Sequence, residues 1–351
     1  MVIDIKVDGL YKRADIYLST KLNLSRNRVQ DYIKNGRILL NYKIFKPSTP
    51  LKSGDIITGE VETEPENIDL KPFDYQLKIL FEDDWLIVID KEKGIVVHPA
   101  KEHKDDTVVN ALLNHCKDLK GIGCKLRPGI VHRLDKDTSG VMVIAKEEKS
   151  YYELQKQFKE RLVEKKYLAL IYGTPKKMED TIITGIGRSE SDRKRFSVKQ
   201  SGKEAVSQYK VLATNKEVSL VEINIKTGRT HQIRVHMSYI GHPIIGDSVY
   251  GKKNYGGFIK DRQLLSMIEK IEGQALLAYS LSFYHPVTKK YLSFNASIPE
   301  EMKKIILSFF NNDEYYSDIS KNARTTALSF TWEKVAKETE YFLEEIVNKN
   351  K

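Results

Sequence analysis

The stretch HRLDKDTSG, residues 132–140, stands between two apolar runs, Pro128-Gly129-Ile130-Val131 and Val141-Met142-Val143-Ile144-Ala145. An unbroken run such as 141–145 reads as a strand buried on both faces. A charged loop feeding straight into such a strand needs a reason, and Asp135 is the residue to explain. Asp137 with Thr138-Ser139-Gly140 already supplies turn-forming groups, so Asp135 is not needed to shape the turn. A metal site would require further ligands at a recognised spacing; His132, Asp137, His231 and His236 offer none, and no metal is expected. The remaining task is chemistry, which needs an ionised carboxylate and a cation to hold it. Arg229, after Gly228 at the end of a second strand, is the candidate cation. On spacing alone, such a pair and two ordinary structural turns stay equally open.

Working outward, Leu86-Ile87-Val88-Ile89-Asp90 reads as another buried strand, and 167–173 and 219–225 as two more. Helices are expected over about 106–115, 149–162 and 232–239. The fold class is α+β, its large domain a mixed, mainly antiparallel sheet built from hairpins. Residues 61–70, VETEPENIDL, hold four acids and no base, and Lys71-Pro72 follows. This shift reads as a linker over 61–75, between a small N-terminal α/β domain at 1–60 and a large domain at 76–310. Residues 311–351 form a C-terminal extension of no evident role, in which 332–348 has the spacing of an amphipathic helix with Val335, Phe342 and Ile346 inside.

Composition narrows the class. The chain has 351 residues, about two domains' worth, and is 40% hydrophobic. No apolar run approaches the roughly 18 residues of a membrane helix. The N-terminus, MVIDIKVDGL, carries acids and alternates like a strand, unlike a signal peptide. The two cysteines, Cys116 and Cys124, fit no zinc spacing and read as reduced thiols, so a cytoplasmic, membrane-free protein is expected. The net charge is +10, and residues 1–60 hold eleven Lys/Arg against six Asp/Glu, half of that excess. A local surplus of bases suits a polyanionic partner, because neutralising phosphates releases condensed counterions.

In the small domain, Ser25 is a natural N-cap for a helix over RNRVQDYIKNG, with Val29, Tyr32 and Ile33 on one face and Gly36 at its end. Arg26, Lys34 and Arg28 then face solvent. Arg13-Ala14-Asp15, Leu24-Ser25-Arg26-Asn27-Arg28-Val29 and Gly36-Arg37-Ile38 with Asn41 and Lys43 resemble the hallmarks of the small RNA-binding domain named after ribosomal protein S-four. The resemblance implies RNA contacts from Arg13, Ser25, Arg26, Arg28 and Arg37.

HRLDKDTSG itself, with Val141-Met142-Val143, resembles the signature of the RluA-type pseudouridine synthases. The likeness continues through Lys166-Tyr167-Leu168-Ala169, Gly202-Lys203-Glu204-Ala205, Thr227 to His236, Gly241 to Asp247, Tyr250-Gly251, Leu276-Leu277-Ala278 and His285-Pro286-Val287-Thr288. It spans roughly residues 80–300. One departure is Leu277, where the family usually has histidine, a position that supports the core more than the reaction.

This resemblance implies isomerisation of uridine to pseudouridine in RNA, without a cofactor. The base detaches at nitrogen, turns, and rejoins the ribose through carbon 5. By the same analogy Asp135 is catalytic, Arg229 holds it ionised, and Tyr167 lies against the base. Arg133 fills the space left by a flipped nucleotide. Lys136 and His231 are expected only as supporting or phosphate contacts. Large-subunit ribosomal RNA or its precursor is the expected partner, and a monomer the expected state. Two rival readings are a non-catalytic RNA-binding protein on the same fold, and a hydrolase of glycosidic bonds pairing Asp135 with Asp137 or Glu222.

Overall fold

The computed structural model describes residues 2–308, apart from 23, 25, 62–69, 101, 117, 118, 120, 121, 125, 126, 191, 193, 194 and 252–256. The expected cap Ser25 and the extension 311–351 lie outside the described residues. The chain divides into two compact units, Met1–Asp69 and Leu70–Lys351.

The first unit runs β1 (Val2–Lys6), α1 (Ala14–Lys21), α2 (Arg26–Lys34), β2 (Ile38–Leu40) and β3 (Ile56–Glu60). The strands form an antiparallel sheet in the order β1-β3-β2. Val29, Tyr32 and Ile33, spaced to share one helical face, are buried with Leu18, Ile38, Leu51 and Ile57 in a core of their own. Each fully buried aliphatic side chain of this kind contributes about 1.5–3 kcal/mol. Gly36 ends α2 with φ of +70°, a left-handed position that glycine takes without a Cβ clash.

The second unit begins with β4 (Ile79–Glu82), β5 (Leu86–Lys91), α3 (Val108–His115), β6 (Gly123–Cys124), β7 (Arg127–Pro128) and β8 (Ser139–Ala145). Then come α4 (Glu148–Lys159), β9 (Glu164–Tyr172), β10 (Glu179–Arg188), β11 (Phe196–Val198), β12 (Lys203–Thr214) and β13 (Val218–Ile225). It closes with α5 (Gln232–Tyr239), α6 (Arg262–Ile268), β14 (Leu276–Tyr284), β15 (Tyr291–Asn295) and α7 (Glu300–Ser308). One ten-stranded sheet runs β11-β10-β12-β13-β9-β14-β8-β5-β4, with β15 also paired to β14. β5 and β8 are buried along their whole length, as their unbroken apolar runs require of central strands.

Among the described strands of this sheet only β8 and β14 run parallel, pairing Ser139 with Leu277 and Gly140 with Ala278. Gly140 makes that approach possible: a Cβ there would collide with the Ala278 carbonyl, and its φ is +123°. Leu277 is fully buried at this junction.

Residues 70–75 belong to the second unit and not to a linker. Leu70 joins its core. The Phe73 N–H donates to the Asn110 carbonyl at 3.0 Å, and Asn110 Nδ2 donates to the Lys71 carbonyl at 2.8 Å. The acidic composition marked the boundary, but the apolar Leu70 and Phe73 carried the packing.

Candidate active site

The loop bearing Asp135 is fastened from behind. Lys91, at the end of β5 and buried, donates from Nζ to the carbonyls of Glu92 (2.8 Å), Lys136 (2.9 Å) and Thr138 (2.9 Å). The Thr138 N–H returns to the Asp135 carbonyl at 3.2 Å, and Gln274 Nε2 holds the Thr138 hydroxyl at 3.0 Å. Burial pulls the Lys91 amine down to about 7, against the charges of Asp137 and Asp135.

The cation facing Asp135 is Arg234, not Arg229. Arg234 Nη1 donates to Asp135 Oδ2 at 3.0 Å. Its other edge grips Asp247, Nε to Oδ2 at 2.7 Å and Nη2 to Oδ1 at 2.9 Å. The guanidinium carbon lies 5.1 Å from the Tyr250 ring centre. Burial opposes the charge on Asp247, but Arg234 and the N–H groups of Tyr250 and Val249 outweigh it, leaving the carboxyl below its usual range. Burial likewise opposes the Arg234 charge, and the two aspartates reverse that, raising its pKa. The Asp135 side chain is 20% exposed and that of Arg234 only 7%. The acid can therefore be reached while its partner cannot.

Arg229 is exposed and held elsewhere. Its Nε donates to the Glu204 carbonyl at 2.9 Å, and its N–H to Gln232 Oε1 at 3.1 Å. Gln232 also accepts from Thr227 Oγ1 and donates to Ser207 and the Val206 carbonyl, which locks the turn before α5. The sequence carried no plain signal for Arg234; it is the burial of Gln232 to Met237 that requires an acid for a guanidinium among them, and Asp247 supplies it.

His231 caps α5 with φ of +56°. Its Nδ1 is 2.9 Å from the Tyr250 hydroxyl, and its Nε2 3.9 Å from Asp135 Oδ2. Burial lowers its pKa first; Asp135 works the other way. Tyr167, on β9, is buried, and its hydroxyl is pushed well above its usual value by burial and then by the Asp135 charge. It is therefore a neutral phenol at neutral pH, within the field of the acid.

Arg133 is exposed, with Nη1 at 3.5 Å from His98 Nε2, the limit of a hydrogen bond. Burial, Arg133 and Arg127 press His98 down to about 4, so it faces Arg133 as a neutral ring. Lys136 Nζ meets His103 Nε2 at 3.2 Å. His132 turns inward: its Nε2 accepts from the Val143 N–H at 3.1 Å, its ring stacks on Phe158, and burial presses its pKa to about 3.

In the first unit, Arg13 and Arg26 both hydrogen-bond the buried Asp15. Arg28 and Arg37 lie against the Tyr32 ring, at 5.7 and 5.1 Å. Among the described residues, Glu82, His115 and Cys116 bring ligand atoms within 4.8 Å of one another. Lys146 Nζ already sits on Glu82 Oε1 at 2.8 Å, where a metal would have to compete with it. Cys116 Sγ itself lies 3.9 Å from Glu82 Oε1. No described helix is long and apolar enough to cross a membrane.

Comparison with known proteins places both parts of the chain in known families. Residues 85–239 match the RNA pseudouridylate synthase family, and residues 12–57 match the S4 domain. An uncharacterised RNA pseudouridine synthase of Aquifex aeolicus is 42% identical over 308 residues, 87% of this chain and 96% of that protein. Ribosomal large subunit pseudouridine synthase D of Zymomonas mobilis is 39% identical over 285 residues, 80% of this chain and 88% of that one. The solved structure of human RNA pseudouridylate synthase domain containing 4 superposes with a TM-score of 0.51 at 27% identity, covering 65% of this chain and 93% of its own.

Proposed function

The chain belongs to the RNA pseudouridine synthases, and from that premise we propose that it isomerises uridine in large-subunit ribosomal RNA with Asp135 as the reacting carboxylate. The observation that carries this reading is the ion pair: an accessible aspartate held by a buried arginine that a second buried aspartate fixes in place. Family membership removes the non-catalytic and hydrolytic alternatives.

A uridine stacked in a helix cannot reach Asp135 and must be extruded, at a cost of a few kcal/mol. Arg133, exposed and two residues from the acid, fills the vacated stack. The Asp135 carboxylate, held in place by Arg234, then acts on the nucleotide as nucleophile or as base toward a ribose proton. The bond from ribose to nitrogen breaks, the base turns, and a bond to carbon 5 forms. The proton leaves carbon 5, and the nitrogen set free by the turn takes one up. Tyr167, neutral and beside the acid, is placed to lie against the base and pass that proton.

The ribosomal assignment is supported by relatives named for the large subunit in Zymomonas, Vibrio and Pseudomonas, and by the basic first unit. Arg13, Arg26, Arg28 and Arg37 supply phosphate contacts that tether and orient without reading sequence. Ser25 belongs to the same segment. The enzyme works as a monomer in the cytoplasm, without a cofactor. Mapping pseudouridines in ribosomal RNA from cells with the gene, without it, and with Asp135→Asn tests the proposal. A large-subunit site that vanishes in the last two supports it, and an unchanged map refutes it.

A further inference from the structure

Among the described residues, Asp15 is the most deeply placed carboxylate of the first unit, with a side chain fully shielded from solvent. It sits in the first turn of α1 and receives four hydrogen bonds. Arg13 binds both oxygens, Nε to Oδ1 and Nη2 to Oδ2, each at 3.0 Å. Arg26 Nε reaches Oδ2 at 2.9 Å, and Gln30 Nε2 reaches the same oxygen at 2.5 Å. The pairing with Arg13, and then with Gln30 and Arg26, holds the carboxyl far below its usual range despite burial. Neither arginine is consumed by these contacts. Their side chains remain 37% and 47% exposed, and Arg26 gives only its Nε to the acid.

A guanidinium has five N–H donors in a rigid plane. When Nε is fixed from beneath, the plane is fixed too, and the outer N–H groups point where the chain sets them. One acid below two arginines thus turns two floppy side chains into a forked anion receptor. We propose that Asp15 is a positioning residue for RNA, setting Arg13 and Arg26 as a paired clamp for adjacent backbone phosphates. This rests on the reading of the first unit as the RNA tether. The acid touches no RNA itself and acts by removing the rotamer entropy that two free arginines would lose on binding.

Positioning and simple electrostatics predict opposite signs for the loss of Asp15. Asp15→Asn removes a negative charge beneath the clamp, so a charge-only account has RNA binding tighten. Positioning has it weaken, by about three- to tenfold, because bidentate charge-assisted geometry is lost. The measurement is the dissociation constant of the full-length protein for transcribed large-subunit ribosomal RNA, across a potassium chloride series. In an Arg13→Gln/Arg26→Gln background, Asp15→Asn should have almost no further effect. Equal or tighter binding by Asp15→Asn overturns the inference. So does an equal loss in both backgrounds, which would mean damage to the unit. Arg13→Lys keeps the charge but cannot bridge both oxygens, so it should fold and still lose affinity; full affinity counts against the clamp. If Arg13→Gln and Arg26→Gln leave affinity and salt slope untouched, the tether reading itself fails. If they weaken binding and Asp15→Asn does not, only the positioning role fails.

Discussion

The two units each build a charged cluster from aspartate and arginine, with opposite geometry. In the first, one buried acid serves two arginines, and the bases face solvent. In the second, one buried arginine serves two acids, and one acid keeps an opening to solvent. The buried member is the fixed support in each, and on the proposed reading the outward member is the working group. Bases turned outward suit a permanent polyanion; an acid turned outward suits a reaction at one carbon atom. Swapping which charge is buried changes the task while the chemistry of the pair stays the same.

The contrast can be tested most severely at its outward acid. Asp135→Asn should cut pseudouridine formation by at least about a thousandfold, since a neutral amide can serve neither as nucleophile nor as base. RNA affinity should stay within a few-fold, measured on the same preparation. Activity retained by that variant would break the comparison outright.

The buried arginine comes next. Arg234→Met leaves Asp247 sealed without its counter-charge, a loss of about 3–5 kcal/mol that denaturant unfolding would read. Adding Asp247→Asn should recover much of that stability and none of the activity. Arg229→Gln should change the chemical step by less than about threefold, because its guanidinium contacts a carbonyl and not the acid. A large catalytic loss there, beside a mild one at Arg234, would reverse the assignment.

Acid offers a smaller test of both clusters together. Asp15 and Asp247 each have a folded pKa below the ordinary carboxylate value of 3.8. The native state therefore holds fewer protons than the unfolded chain, and the stability these groups give is complete above about pH 4 and lost as pH falls toward their folded values. Urea midpoints taken from pH 6 to pH 2 should decline below about pH 4, and less steeply in Asp247→Asn. An equal slope in that variant would mean that Asp247 is not held as described.

Much of this was legible in the chain. The unbroken runs at 86–90 and 141–145 announced central strands, and the helix expected over about 232–239 is α5, Gln232–Tyr239. The loop at 132–140 was recognisable because charge there lacks a structural excuse. The partner of Asp135 was not. An arginine beside a glycine at a strand end looks exposed and functional, whereas Arg234 on a helix looks like one of many surface bases. Only packing on every side of α5 distinguishes it. The β8–β14 junction was equally hidden, since parallel neighbours need no short connection and Gly140 alone hints that another backbone comes close.

The separation of Asp135 from Arg234, ninety-nine residues along the chain, has a bearing on how the molecule is made. Among the described residues, the core of the first unit ends at Val61. A growing polypeptide can thus complete its RNA-gripping part while the acid at 135 still lacks its clamp, the Asp247 brace and the neighbouring strand β14. Emergence from the ribosome would then deliver the proposed binding part first, and the acid at 135 would meet its counter-charge only after residue 247 has followed. Stalled nascent chains of increasing length, probed by limited proteolysis and by turnover, would reveal that order, and turnover from a chain ending before Arg234 would contradict it.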